Sequence, residues 1–127
     1  MYTDAVVEHF SNPRNVGTIE NPNVVVKVGD PGCGDAILIF LKIADNVITE
    51  VKYKVYGCAA AIATTSMAST MVKGKTLEDA LEVTDEKVAE ALGGLPDDKM
   101  HCSNLSATAI RAAVTRYMHP PEEQEVE

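Results

Sequence analysis

The chain has 127 residues, 46% of them hydrophobic and 24% charged, with a formal net charge of −8. That length suits one domain around one core. No apolar run approaches the roughly 18 residues of a bilayer span, and an acidic chain without a Lys/Arg cluster is a poor phosphate-neutralising surface, so no membrane and no nucleic acid are expected.

The first residues, Met1-Tyr2-Thr3-Asp4, have neither the basic start nor the apolar stretch of a signal peptide, which points to a cytoplasmic, reducing setting. Thr3 is placed to cap a short helix in which Val6, Val7 and Phe10 fall at helical spacing, and which ends near Pro13. Asn23 to Asp30 is β-branched and bounded by turn residues, and Ala36 to Ile43 is almost wholly apolar. Both read as strands. Asp45-Asn46 forms a turn into a third strand, where Val51, Tyr53 and Val55 alternate with Lys52, Lys54 and Tyr56. The three strands make an antiparallel meander with Ala36 to Ile43 in the middle.

After Gly57-Cys58 the chain turns to alanine, serine and threonine, with Ile62, Met67 and Met71 among the larger residues. This is a helix that lets another surface approach closely, and its methionines read as core packing. Thr76 and Thr84 open two short acidic-start helices, the second ending at Gly93-Gly94. A last helix runs from about Ser103 to Tyr117 or Met118, with Leu105, Ala109, Ile110, Ala113, Val114 and Tyr117 on one stripe. The expected fold class is α+β, a three-stranded antiparallel sheet with helices packed on one face. One domain covers residues 1–118. Residues 119–127, rich in proline and glutamate, read as a disordered acidic tail.

Chemistry concentrates at the three cysteines, Cys33, Cys58 and Cys102. An odd count without a secretion signal disfavours a disulfide framework and leaves free thiols, metal ligands or catalysis. Each lies at a boundary between elements rather than on an apolar stripe, and two stand at predicted helix starts, where unpaired N–H groups stabilise a thiolate. Gly32, Gly34 and Gly57 leave little bulk around the first two. Asp35 and His101 add an oxygen and a nitrogen donor. The candidate constellation is therefore Cys33, Asp35, Cys58, His101 and Cys102, although the spacing matches no paired Cys-x-x-Cys zinc pattern. A Cys–His nucleophile is disfavoured because His101 and Cys102 are adjacent, and neighbours in a chain rarely face each other as nucleophile and base.

Five segments, in order, resemble the IscU/NifU family of iron–sulfur cluster scaffold proteins: "EHFSNPRNVG" from Glu8, "CGD" from Cys33, "YGCAAAIATTSM" from Tyr56, "VKGKTLEDAL" from Val72 and "LPDDKMHCSNL" from Leu95. The resemblance implies an IscU/NifU-like fold and a platform without turnover of its own, on which a transient [2Fe–2S] cluster is built and passed to apo iron–sulfur recipient proteins. Sulfur would arrive as persulfide from an IscS/NifS-type cysteine desulfurase, with a ferredoxin electron donor and a frataxin-like protein as further candidate partners. The three cysteines would serve as ligands and as persulfide acceptors, with Asp35 or His101 as the fourth ligand and Asp35 governing cluster lability. Lys99 borders the site in relatives.

The chain departs from the family pattern in two places. Ala59 and Ala60 stand where relatives often have glycine and serine, which removes no ligand. Asp97 and Asp98 stand where many relatives have Pro-Val in a segment bound by a dedicated Hsp70-type chaperone, which argues against that partner. The same donors also suit Zn2+ in a cluster-free form. The alternative function is thus a zinc-dependent sulfur relay of the SufU type, disfavoured because the insertion that marks that branch is missing between Cys58 and Cys102.

Overall fold

The computed structural model of the chain describes residues 2–30, 35–97 and 100–119, and the side chains of all of them except Asp30 and residues 100–104. The first helix, α1, spans Asp4–Ser11. Thr3 caps it by accepting from the Val6 amide at 3.1 Å, satisfying one of the donors that a helix start leaves unpaired. The same hydroxyl donates to the Leu92 carbonyl, tying this end of α1 to the end of a helix far along the chain.

Strands β1 (Val24–Asp30), β2 (Asp35–Ala44) and β3 (Val47–Tyr56) form an antiparallel sheet in the order β1-β2-β3. Asp45 and Asn46 both take positive φ, 54° and 66°, the backbone that a two-residue hairpin turn matched to strand twist requires. One extra residue on β3 shifts the register beside Lys42/Ile43, so that Ile43 pairs with Ile48 and Lys42 with Glu50. The two-residue side-chain period then separates the faces. Ile37, Ile39, Leu41, Val51 and Tyr53 are buried on one side, while Lys27, Leu38, Phe40, Lys52 and Lys54 lie on the other.

Helices cover the buried face, as expected. α2 (Ala59–Val72) packs on β3, and α5 (Met100–Met118) packs on β1 and β2 and against α2. The α2 residues in the interior are small, among them Ala60, Ala63, Ala68 and Ser69, which lets its neighbours come close. Met67 and Met71 are half-buried at its margin and pack against the core. α3 (Leu77–Leu81) and α4 (Asp85–Ala91) are capped by Thr76 and Thr84 and pack against α5. Complete burial of Ile37, Ile39, Leu41 and Ile110 makes each worth about 1.5–3 kcal/mol of transfer free energy.

Two expectations need correction. The last helix begins at Met100, not Ser103, so His101 and Cys102 belong to its first turn rather than to the loop before it. On α1, Val7 and Phe10 are exposed, and the inward residues are Val6 and His9. The packing face of α1 is set by a polar contact, described below. Of the expected acidic tail, only His119 falls within the described residues.

Candidate functional site

Asp35 opens β2 and Cys58 follows the end of β3, and the antiparallel register brings these two ends together: Ala36 pairs with Tyr56. The link between them is Gly57. A Cβ built on Gly57 would overlap the Asp35 Oδ1 atom and would stand 2.9 Å from the Ala61 Cβ, closer than real Cβ atoms come. The carboxylate therefore occupies the space where a side chain at position 57 would be, one residue from the cysteine. Only glycine leaves that space open.

Cys58 is the N-cap residue of α2, in extended backbone geometry with φ −78° and ψ 178°, and is half-buried. It thus stands at the positive end of a helix of 14 residues. A carboxylate and a soft sulfur donor at the same end of the sheet suit a site that binds metal with mixed ligands.

Of the five candidate ligands, Asp35 and Cys58 are the two whose side chains are described; the strand register brings them to the same end of the sheet, with Asp35 packed against Gly57, the residue before Cys58. Cys33 lies outside the described residues; its neighbours Asp30 and Asp35 are cross-strand partners at this same end of the sheet. His101 and Cys102 are placed by backbone in the first turn of α5, and their side chains lie outside the described set. Lys99 also lies outside it.

Sequence reasoning missed a buried polar cluster behind the site. His9 Nδ1 is 2.7 Å from the Ser66 hydroxyl, which also accepts from the Arg14 amide at 2.9 Å. Asn15 donates to the Ser69 hydroxyl one turn further along α2. Burial, with the Arg14 charge adding to it, holds the His9 imidazole below its usual pKa. Tyr53, fully buried, is pushed up to about 12, mainly by burial. These groups lock the segment from His9 to Asn15 onto α2, the helix that Cys58 begins. The signal available in the sequence was the run of serines and threonines at buried α2 positions.

Comparison with known proteins speaks to family and fold. A family profile described as "NifU-like N terminal domain" matches residues 1–124. The chain is 58% identical over 117 residues to iron-sulfur cluster assembly scaffold protein IscU 1 of Archaeoglobus fulgidus, covering 92% of this chain and 76% of that protein. It is 43% identical over 122 residues to the scaffold protein IscU of Azotobacter vinelandii, covering 93% of this chain and 94% of that one. Among solved structures, the N-terminal part of a nitrogen-fixing NifU-like protein from Brucella abortus superposes with a TM-score of 0.72 at 21% identity, covering 93% of this chain and 94% of that one. At that identity the likeness speaks to the fold alone.

Proposed function

The chain belongs to the NifU-like N-terminal domain family, and from that membership we propose that it is a scaffold on which an iron–sulfur cluster is assembled and then handed to apo-proteins. The observation that carries this reading is the extent of the likeness to IscU scaffolds, 58% identity over 92% of the chain. The Asp35 carboxylate held against Gly57, the residue before Cys58, supports it.

In the finer reading the cargo is a [2Fe–2S] cluster bound by Cys33, Cys58 and Cys102, with Asp35 or His101 completing the set. Three thiolates and one weaker oxygen or nitrogen ligand hold a cluster less firmly than four thiolates, which suits cargo that must leave. The cysteines also accept persulfide sulfur from a cysteine desulfurase, which performs the turnover, and Lys99 borders the site. Each sulfane sulfur needs two electrons to become sulfide. Oxidation of two ferrous ions to ferric supplies half of what two sulfurs need, so an external electron donor of the ferredoxin type supplies the rest. Zn2+ fits the same donors and would occupy the cluster-free form. No described helix is long and apolar enough to cross a membrane.

The test is anaerobic mixing of the protein with ferrous iron, cysteine, a cysteine desulfurase and a reductant, followed by visible absorption and Mössbauer spectroscopy and then by addition of an apo-ferredoxin. A [2Fe–2S] signature that moves to the ferredoxin is the expected outcome. Persulfide on a cysteine with no cluster, dependent on bound zinc, would replace the scaffold reading with a sulfur relay.

A further inference from the structure

The outer face of the sheet carries a basic groove in an otherwise acidic chain. Across the three strands, Lys27, Leu38 and Lys54 stand abreast in one row, because Lys27 pairs with Leu38 and Leu38 with Lys54. The next row towards the site is Gly29, Ala36 and Tyr56. Two small residues beside a lysine row leave a depression, and the structure has there a groove of about 300 Å³ with a mainly apolar floor. Lys27 and Lys54 are exposed, and neither makes an ion pair among the described residues. Lys42, on the same face, is engaged with the Asn21 carbonyl at 2.7 Å. The overall charge is −8, so two unneutralised ammonium groups flanking an aliphatic strip form a local reversal of sign.

We infer that this groove is a docking site for an acidic, extended segment of a partner protein, with an apolar side chain seated over Leu38 and Ala36 and carboxylates meeting Lys27 and Lys54. Neighbouring strands lie about 4.8 Å apart, which puts the backbones of the two lysine positions roughly 10 Å from each other. That separation accommodates one extended chain between them. The groove reaches the end of the sheet that carries two candidate ligands: Ala36 follows Asp35 directly, and Tyr56 precedes Gly57-Cys58. A segment lying in the groove therefore places its parent protein at that end of the sheet. The assignment deepens the scaffold reading and rests on it for the reason a partner comes.

The probe is the acetylated, amidated peptide Glu-Glu-Leu-Glu-Glu, with its Gln-Gln-Leu-Gln-Gln analogue, titrated into the isotope-labelled full chain and followed by amide chemical shifts. Shifts centred on residues 36–38 and 54–56, weakened by added salt and absent with the neutral analogue, are expected. The double variant Lys27→Glu/Lys54→Glu should bind the acidic peptide about tenfold more weakly or worse. It should still form a cluster on iron and sulfide addition, since neither lysine is a ligand. Shifts elsewhere, equal binding of the neutral peptide, or undiminished binding by the double variant would overturn the assignment. So would a marked gain in affinity when Glu122, Glu123, Glu125 and Glu127 are all changed to Gln in the full chain, because the natural occupant would then be the chain's own acidic segment. Failure of cluster formation in the unaltered protein, with peptide binding intact, would remove the scaffold reading and leave the groove as a peptide site.

Discussion

The Asp35 carboxylate lies over the α-carbon of Gly57, in the volume that any other residue at that position would fill. The two are 22 residues apart in sequence and meet because β2 and β3 are antiparallel and in register at this end. A strand start, a strand end and a helix start are thereby joined at one point, with Cys58 next in line.

Gly57→Ala should displace the carboxylate and destabilise the fold by about 1–3 kcal/mol, the usual cost of forcing extra bulk into a packed place. Pairing it with Asp35→Ala should recover part of that loss, because one of the two clashes disappears while the Ala61 contact remains. Urea denaturation of the two single variants and the double variant checks this. Strict additivity would mean that the two residues are not in contact.

Cys58→Ser separates chemistry from folding. Serine is a favoured N-cap, so the variant should be as stable as the parent or more stable by up to about 1 kcal/mol, yet it should form no cluster. Thermal melting followed by reconstitution and visible absorption gives both readings. Normal cluster formation would remove Cys58 from the ligand set.

Asp35→Ala should yield a cluster that forms but leaves slowly. Transfer to an apo-ferredoxin should fall about tenfold or more, within the range seen when groups that tune a metal site are removed. Stopped-flow absorption measures it, and an unchanged transfer rate would deny the carboxylate that role.

Ser66→Ala should cost about 2–3 kcal/mol, because the Arg14 amide and the His9 ring both lose their partner in a place closed to water. Thr70→Ala, on the exposed side of the same helix, should stay within about 0.5 kcal/mol of the parent. Equal effects would mean that the polar cluster holds nothing.

Stability should fall as the pH drops below about 6.5, the ordinary histidine value. The His9 pKa is lowered in the folded state, chiefly by burial and then by Arg14, with Glu8 opposing. The unfolded chain therefore takes up the proton first, and the stability present above 6.5 is lost as pH falls through the folded value. Urea midpoints between pH 7.5 and 5.5 should show this slope in the parent and a flatter one in His9→Asn. Equal slopes would assign the effect to other groups.

Much of this architecture was legible because local signals agreed with the global fold. Thr3, Thr76 and Thr84 stand at helix starts as capping residues, and the alternation of Val51 and Tyr53 with lysines marks the buried face of β3. Two features were not legible. The apolar stripe of α5 starts at Leu105, so periodicity places the helix start near Ser103, about three residues past the true start at Met100, whose first turn carries no stripe residue. Counting apolar residues on α1 favoured Phe10, but the face that turns inward is chosen by His9 meeting Ser66, 57 residues away. Periodicity does not register a polar contact of that span. At the site, residue types and boundary positions single out candidate side chains, while the fitting of Asp35 over Gly57 depends on a strand register that no local pattern encodes.

The outer edge of β3 is occupied. Tyr53 exchanges backbone hydrogen bonds with Asn15 and Gly17, and Ile48 does so with Gly74 and Lys75. Two loops from distant parts of the chain thus close a rim that would otherwise offer a ready ladder to another sheet. At the opposite rim, Gly29 bends β1 with a φ of +90°. Copies that meet while awaiting iron and sulfur therefore find the β3 rim closed to sheet extension where these two loops lie, so a protein built to hold a reactive load and release it keeps that rim from pairing with another of its kind.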